Sequence, residues 1–327
     1  MSGQSSSTRA AAARQLTASG PFDLGQALGF LRGFAPAGAA VPAAAGAYAG
    51  AHVIRGRTLV VRLAPLAGGR LLLTVEGPGV EAADLDAAEA LARRVFSLDL
   101  DGVDFYERVG RADPALGGLQ GRFPGLRTVL FGSPFEALCW AVIGLRVSIA
   151  QAARAKARLA AAFGPAVEAG GERSRAFPAP EHLLALDPRR DAATLRLPPV
   201  KIERLAALAG RGVRGDLDAG RLLAMAPEEA RAWLERSPGI GPWASEFTLI
   251  RGAGHPDLLP HGERRLLAAA QRSYGLDREP SFAELERLGA RWAGHRSWAA
   301  FLLRVALQEG TREIAAPSCG SGMMSAA

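Results

Sequence analysis

The joint Pro238-Gly239-Ile240-Gly241, set between two runs of helical spacing, constrains this chain more than any other feature. Glycine suits positions where φ is positive or where another backbone must approach closely, so the spacing predicts a tight hairpin of two helices near 234–252. Pro242 fits the first turn of the second helix, where a missing N–H costs nothing. The N–H groups that open this helix then face outward as a small anion site. An ordinary helix C-cap uses glycine in the same way, so the residues that follow decide between the two. They are PDLLPHGE, in which proline and glycine prepare a new helix opening at Glu263.

A glycine hairpin of this kind can grip a DNA phosphate through backbone N–H groups without reading base sequence, which assigns Gly239 and Gly241 to phosphate contact. Ser245 carries a hydroxyl one turn further on, for phosphate or merely for the helix surface. Trp243 stands where an aromatic side chain either packs under the hairpin or lines a base pocket. Glu263 is the carboxylate to follow. A negative charge is favoured at a helix N-terminus, and such a residue either stabilises its own helix or offers an anion to a sugar that gains positive charge as its glycosidic bond breaks. Asp257 is the second acidic candidate, or else the holder of an Asx-turn.

The formal charge of +7 suits a polyanionic partner. Lys156 and Lys201 are the only lysines, so almost all of the positive charge is arginine, which genome composition explains equally well. Two cysteines, Cys139 in an apolar run and Cys319 in a Gly/Ser-rich tail, cannot build a four-thiolate metal site. The histidines show no ligand spacing, so no cofactor or protein-held metal is expected. Backbone carbonyls at the hairpin offer a place for a monovalent cation, which no side-chain pattern identifies. No apolar run reaches the roughly 18 residues of a membrane span, and residues 1–20 lack the apolar core of a secretory signal. A cytoplasmic, nucleoid-associated monomer without membrane contact is the expectation, and protein partners are not indicated.

The fold class expected is α+β, mainly α. Residues 1–20 form a flexible leader. A small α/β domain over 21–105 holds an antiparallel sheet, read from HVIRGRTLVVRL at His52–Leu63 and RLLLTV at Arg70–Val75, with a helix over Ala83–Phe96. A two-lobed helical core spans 106–313, and a flexible tail 314–327. Ser133-Pro134-Phe135-Glu136 opens one helix, with serine as cap, proline in the first turn and Glu136 closing a capping box. Gly144 interrupts it, and Ser148 caps the next.

Together FDLGQALGFL, RFPGLRTVLFGSPFEALCWAVIGLRVSIAQAA, PGIGPWASEFTLIRG with PDLLP, and RWAGHRSWAAFLLRVAL resemble the DNA-3-methyladenine glycosylase II family of helix-hairpin-helix base-excision enzymes, over about residues 20–310. The resemblance implies a small N-terminal domain, two helical parts with a cleft between them, and hydrolytic removal of alkylated or otherwise damaged bases flipped out of duplex DNA. It places Gly239 and Gly241 in the hairpin and Trp243 beside the base pocket. Relatives with lyase activity carry a Schiff-base lysine at the position of Trp243, so tryptophan implies a monofunctional hydrolase. Three positions depart from the family pattern. Glu263 matches the catalytic aspartate, one methylene longer; Arg146 matches the leucine that fills the gap left by the flipped nucleotide; Arg304 matches a base-stacking tryptophan. A cation at 304 would repel a cationic alkylated purine and favour neutral lesions. The same three departures also fit a damaged-DNA-binding protein without turnover.

Overall fold

A computed structural model describes residues 10–37, 46–169 and 171–315. Strands β1 (Ala10–Leu16), β2 (Tyr48–Ile54), β3 (Arg57–Pro65) and β4 (Leu71–Gly77) form an antiparallel sheet in the order β1-β4-β3-β2. Within the strand-rich run His52–Leu63 the chain turns back as a hairpin: Arg55 and Gly56 take φ of 50° and 76°, the left-handed pair that lets a two-residue turn follow the strand twist. The flexible leader expected over 1–20 does not hold for residues 10–16, because Ala10–Leu16 pairs along the whole of β4. A small-residue strand without charge contrast gave no periodic signal. Residues 1–9, the tail from 316 and Cys319 lie outside the described residues.

One face of the sheet is a dry layer of Leu59, Val61, Leu63, Leu71, Leu73 and Val75, covered by α1 (Leu24–Gly33) and α2 (Ala82–Val95). Alternation along β3 sends Val60 to the other face, against Val167 and Ala169 of the hairpin formed by β5 (Ala166–Ala169) and β6 (Glu172–Arg175). The helical part has two cores. One runs from Phe131 to Ala253. The other joins residues on both sides of it, Phe105–Leu126 and Leu259–Ala306. The chain therefore begins one lobe, builds the second, and returns to finish the first.

Arginines, not ion pairs, stitch the sheet domain to the lobes. Arg127 is fully buried and donates to the carbonyls of Ser19, Pro21, Ser97, Leu98 and Leu100. Arg94 donates to Phe131, Gly132 and Gly252. Burial holds both guanidinium groups down to about 10, and the carbonyl dipoles take the place of lost water.

Proline opens many of the helices, as the sequence predicts, and Ser133 caps Pro134–Gly144 by accepting from the Glu136 N–H at 3.0 Å. The expected capping box does not close. Glu136 turns instead to the Gly132 N–H and to the Lys156 ammonium 2.6 Å away, because that cation stands on the neighbouring helix Ile149–Phe163. Ser148 does cap that helix, with Gln151 completing a box.

Candidate active-site cavity

The hairpin is a helix Pro227–Glu235, the joint, and a helix from Pro242 that continues as one π-wound turn to Ala253. Ile240 is buried and anchors the joint in the lobe, while Gly239 is exposed. Gly239 has φ of 80°, and a Cβ there would fall 2.5 Å from the Arg204 guanidinium. Gly241 differs: φ is −114° and a Cβ would meet open space. The second glycine is therefore not required by the turn itself.

Trp243 enters the first turn of this helix and stacks on Phe247 at 5.2 Å and 16°. It also lies against the Gly262 backbone. A Cβ on Gly262 would fall 2.9 Å from Trp243 Cβ, so the residue just before Glu263 lies directly against the tryptophan. Trp243 is partly buried against the core of its lobe and also lines the candidate active-site cavity. Glu246, buried on the same helix, accepts from Gly262 N–H at 3.3 Å and pairs with Arg231 at 2.9 Å.

Glu263 is the N-cap of helix Arg264–Tyr274 and accepts from the Arg265 backbone N–H at 3.2 Å. The Arg265 side chain reaches the same carboxylate with Nε at 3.0 Å and Nη2 at 3.3 Å. Arg304 is a second, more distant cation, with Nε 3.9 Å from Oε1. The carboxylate is thus near two arginines, one largely exposed and one mostly buried. Burial lowers the Arg304 pKa, and the nearby Glu263 opposes that shift.

These groups share one cavity of about 810 Å³ where all three parts of the chain meet. The sheet domain contributes Phe30, Phe34 and Pro36; the inserted lobe contributes Trp140, Trp243, Phe247 and Arg251; the returning segment contributes Glu263, Phe301 and Arg304. Arg251 is an unexpected member. Its guanidinium lies over Phe34 at 4.7 Å and over Phe30 and Phe301 at 5.3 Å each. Its Nε donates to Val129 carbonyl, its buried Nη2 has no partner, and burial takes its pKa down to about 9.

The structure gathers Trp243, Glu263 and Arg304 in this cavity, places Arg146 at its rim, and sends other expected residues elsewhere. Arg146 is exposed with φ of 56°, in the loop between Gly144 and Val147, both of which line the cavity. Lys201 shapes that loop by donating to the carbonyls of Ile143 and Leu145 at 2.7 Å each. Ser245 does not face a phosphate. It is fully buried, with Oγ 2.8 Å from Glu235 and 2.9 Å from the Pro242 carbonyl, because helix geometry turns position 245 toward the partner helix of the hairpin. Asp257 clamps its loop to Arg296, by the backbone N–H at 3.2 Å and the side chain at 2.6 Å, outside the cavity lining. Arg251, Arg265, Trp140 and Glu246 were missed; a helical reading from Trp243 would have put Glu246 and Phe247 one turn away, but only the fold brings in the other three.

No family profile matches the chain. Among characterised sequences, it is 31% identical over 208 residues to a DNA-3-methyladenine glycosylase of Bacillus subtilis, spanning 64% of this chain and 68% of that one. It is 33% identical over 217 residues to a probable bifunctional transcriptional activator/DNA repair enzyme AlkA of Mycobacterium tuberculosis, spanning 66% of this chain but 42% of the relative. DNA-3-methyladenine glycosylase 2 of Escherichia coli is 32% identical over 196 residues, 60% of this chain and 65% of that protein. A 3-methyladenine DNA-glycosylase from Archaeoglobus fulgidus shares the fold, with a TM-score of 0.78 at 22% identity over 90% of this chain and 98% of that one.

Proposed function

The chain belongs to the DNA-3-methyladenine glycosylase II family of the helix-hairpin-helix superfamily, and on that premise we propose that it is a monofunctional DNA glycosylase acting in base excision repair. Its substrate is duplex DNA carrying a damaged base, which is flipped into the cavity and cut from its sugar by water. The observation that carries this reading is the convergence of Trp243, Glu263 and Arg304 on one cavity.

The hairpin meets a phosphate through N–H groups at Gly239 and Gly241, and Arg146 at the rim enters or flanks the gap in the duplex. A base that pairs or stacks poorly is the cheaper one to extract. As the bond from C1′ to the base nitrogen breaks, its electron pair leaves with the base and positive charge builds on the sugar. Glu263 faces that charge and orients the attacking water. An anion fixed in advance is worth most in a site from which water is excluded. Arg265, largely exposed, can exchange part of its contact with Glu263 for a DNA phosphate.

The lysines support hydrolysis without lyase chemistry. Lys156 is spent on Glu136 and the Pro36 carbonyl, and Lys201 on two carbonyls at a helix end. Neither lines the cavity. A panel of duplexes, each with one alkylated or deaminated base, tests the proposal. Base release should leave an intact abasic strand that breaks only on added alkali, and borohydride should trap no covalent complex. Folded protein that binds damaged duplex but releases no base from any panel member would instead be a damage-binding protein.

A further inference from the structure

We propose that this cavity selects a neutral purine whose edge carries hydrogen-bond acceptors, a 6-oxopurine formed by deamination, over a cationic N-alkylated purine. The inference rests on the glycosylase reading and narrows its substrate. Three guanidinium groups, of Arg251, Arg265 and Arg304, line the cavity, against the single carboxylate of Glu263. That carboxylate is already shared by Arg265 and Arg304. A cationic base entering here meets net positive charge.

The phenylalanines of the cavity do not compensate. A cation is drawn to the face of an aromatic ring, yet Arg251 already lies over Phe30, Phe34 and Phe301. The protein's own guanidinium fills the place where a positively charged base would find its attraction. Trp243 in turn has one face covered by Phe247.

What the cavity offers is donors. A guanidinium has N–H groups and no acceptor, and its fork matches the O6 and N7 acceptors of a 6-oxopurine. The accessible donors are those of Arg265 and Arg304, whereas Arg251 Nη2 is buried, without a hydrogen-bond partner among the described residues. The chemistry of departure agrees. When the C1′–N9 bond of a neutral purine breaks, the electron pair leaves an anionic base, which a guanidinium stabilises. Water then bonds to C1′ and its proton neutralises the released base. An alkylated purine cation departs already neutral, and gains nothing from these arginines.

The test compares single-turnover excision of hypoxanthine and of 7-methylguanine from otherwise identical duplexes, each rate divided by its spontaneous loss. Wild type should favour hypoxanthine at least tenfold on this scale. Arg304→Gln, checked for folding by its thermal melt, should move that ratio at least tenfold toward 7-methylguanine, and Arg304→Lys should move it less. A wild-type preference for 7-methylguanine, or a ratio unmoved by Arg304→Gln, overturns the inference while leaving the glycosylase reading intact. Release of neither base, nor of any other lesion in the wider panel, overturns both.

Discussion

At the scale of single residues, Glu263 carries the most of the proposed chemistry. Its carboxylate both caps a helix and faces the cavity, so its position is tied to the backbone that follows. Glu263→Gln keeps the volume and an oxygen to accept the Arg265 N–H but removes the charge. Single-turnover excision should fall by about 10²–10³-fold, the scale of losing one fixed electrostatic partner in a transition state, with duplex affinity changed less than twofold. A variant that excises at the wild-type rate would remove Glu263 from the mechanism. Asp257, the other acidic candidate, is committed to Arg296.

At the scale of elements, the two hairpin glycines separate structural from functional need. Gly239 is in the left-handed region and pressed against Arg204. Gly239→Val should therefore cost about 1–2 kcal/mol of stability, through backbone strain, and weaken DNA binding with it. Gly241 has ordinary extended backbone and open space around it. Gly241→Val should leave the melting temperature within a few degrees yet weaken binding to intact and damaged duplex alike, because only the phosphate needs that space. Normal affinity in a folded Gly241→Val protein would show that no phosphate sits there. The pattern PGIG announced the turn, but equal-looking glycines proved unequal because φ depends on where each falls in the joint.

At the scale of the whole molecule, the seam between sheet domain and inserted lobe ties stability to pH. His52 on β2 pairs with Tyr48 Oη at 2.8 Å, and a Cβ on Gly132 would stand 3.5 Å from its ring. Burial takes the imidazole down to about 4 from an ordinary 6.5, with Glu136 opposing and Arg94 and Lys156 assisting that shift. The unfolded chain therefore binds this proton first. The contribution of His52 is whole above pH 6.5, is lost as pH falls toward 4, and changes no further below that. The loss should reach about 3 kcal/mol at most. Denaturant titrations at pH 7 and pH 4.5 should show a stability drop that His52→Gln shrinks, and an equal drop in both proteins would place the proton elsewhere. The same seam positions the cavity wall, because Lys156 donates to the Pro36 carbonyl and Pro36 lines the cavity.

The amino-acid sequence by itself determined what local chemistry can determine. Glycine and proline at 238–242 specified a joint, Ser133 and Ser148 specified helix starts, and β-branched and leucine-rich runs specified strands, because each depends on a few neighbouring dihedrals. It also carried the family likeness, and with it Trp243, Glu263 and Arg304. The tertiary structure decided where those side chains point and what surrounds them. Ser245 turned inward onto Glu235, and Glu136 chose a lysine on the next helix over its own capping box. Arg251, unremarkable in LIRG, became the guanidinium caged by Phe30, Phe34 and Phe301. Those rings come from α1, its C-cap Phe34 and the helix Arg296–Ala315, far apart in the chain, and no periodicity records a contact that exists only once three separately folded surfaces have closed around the same space.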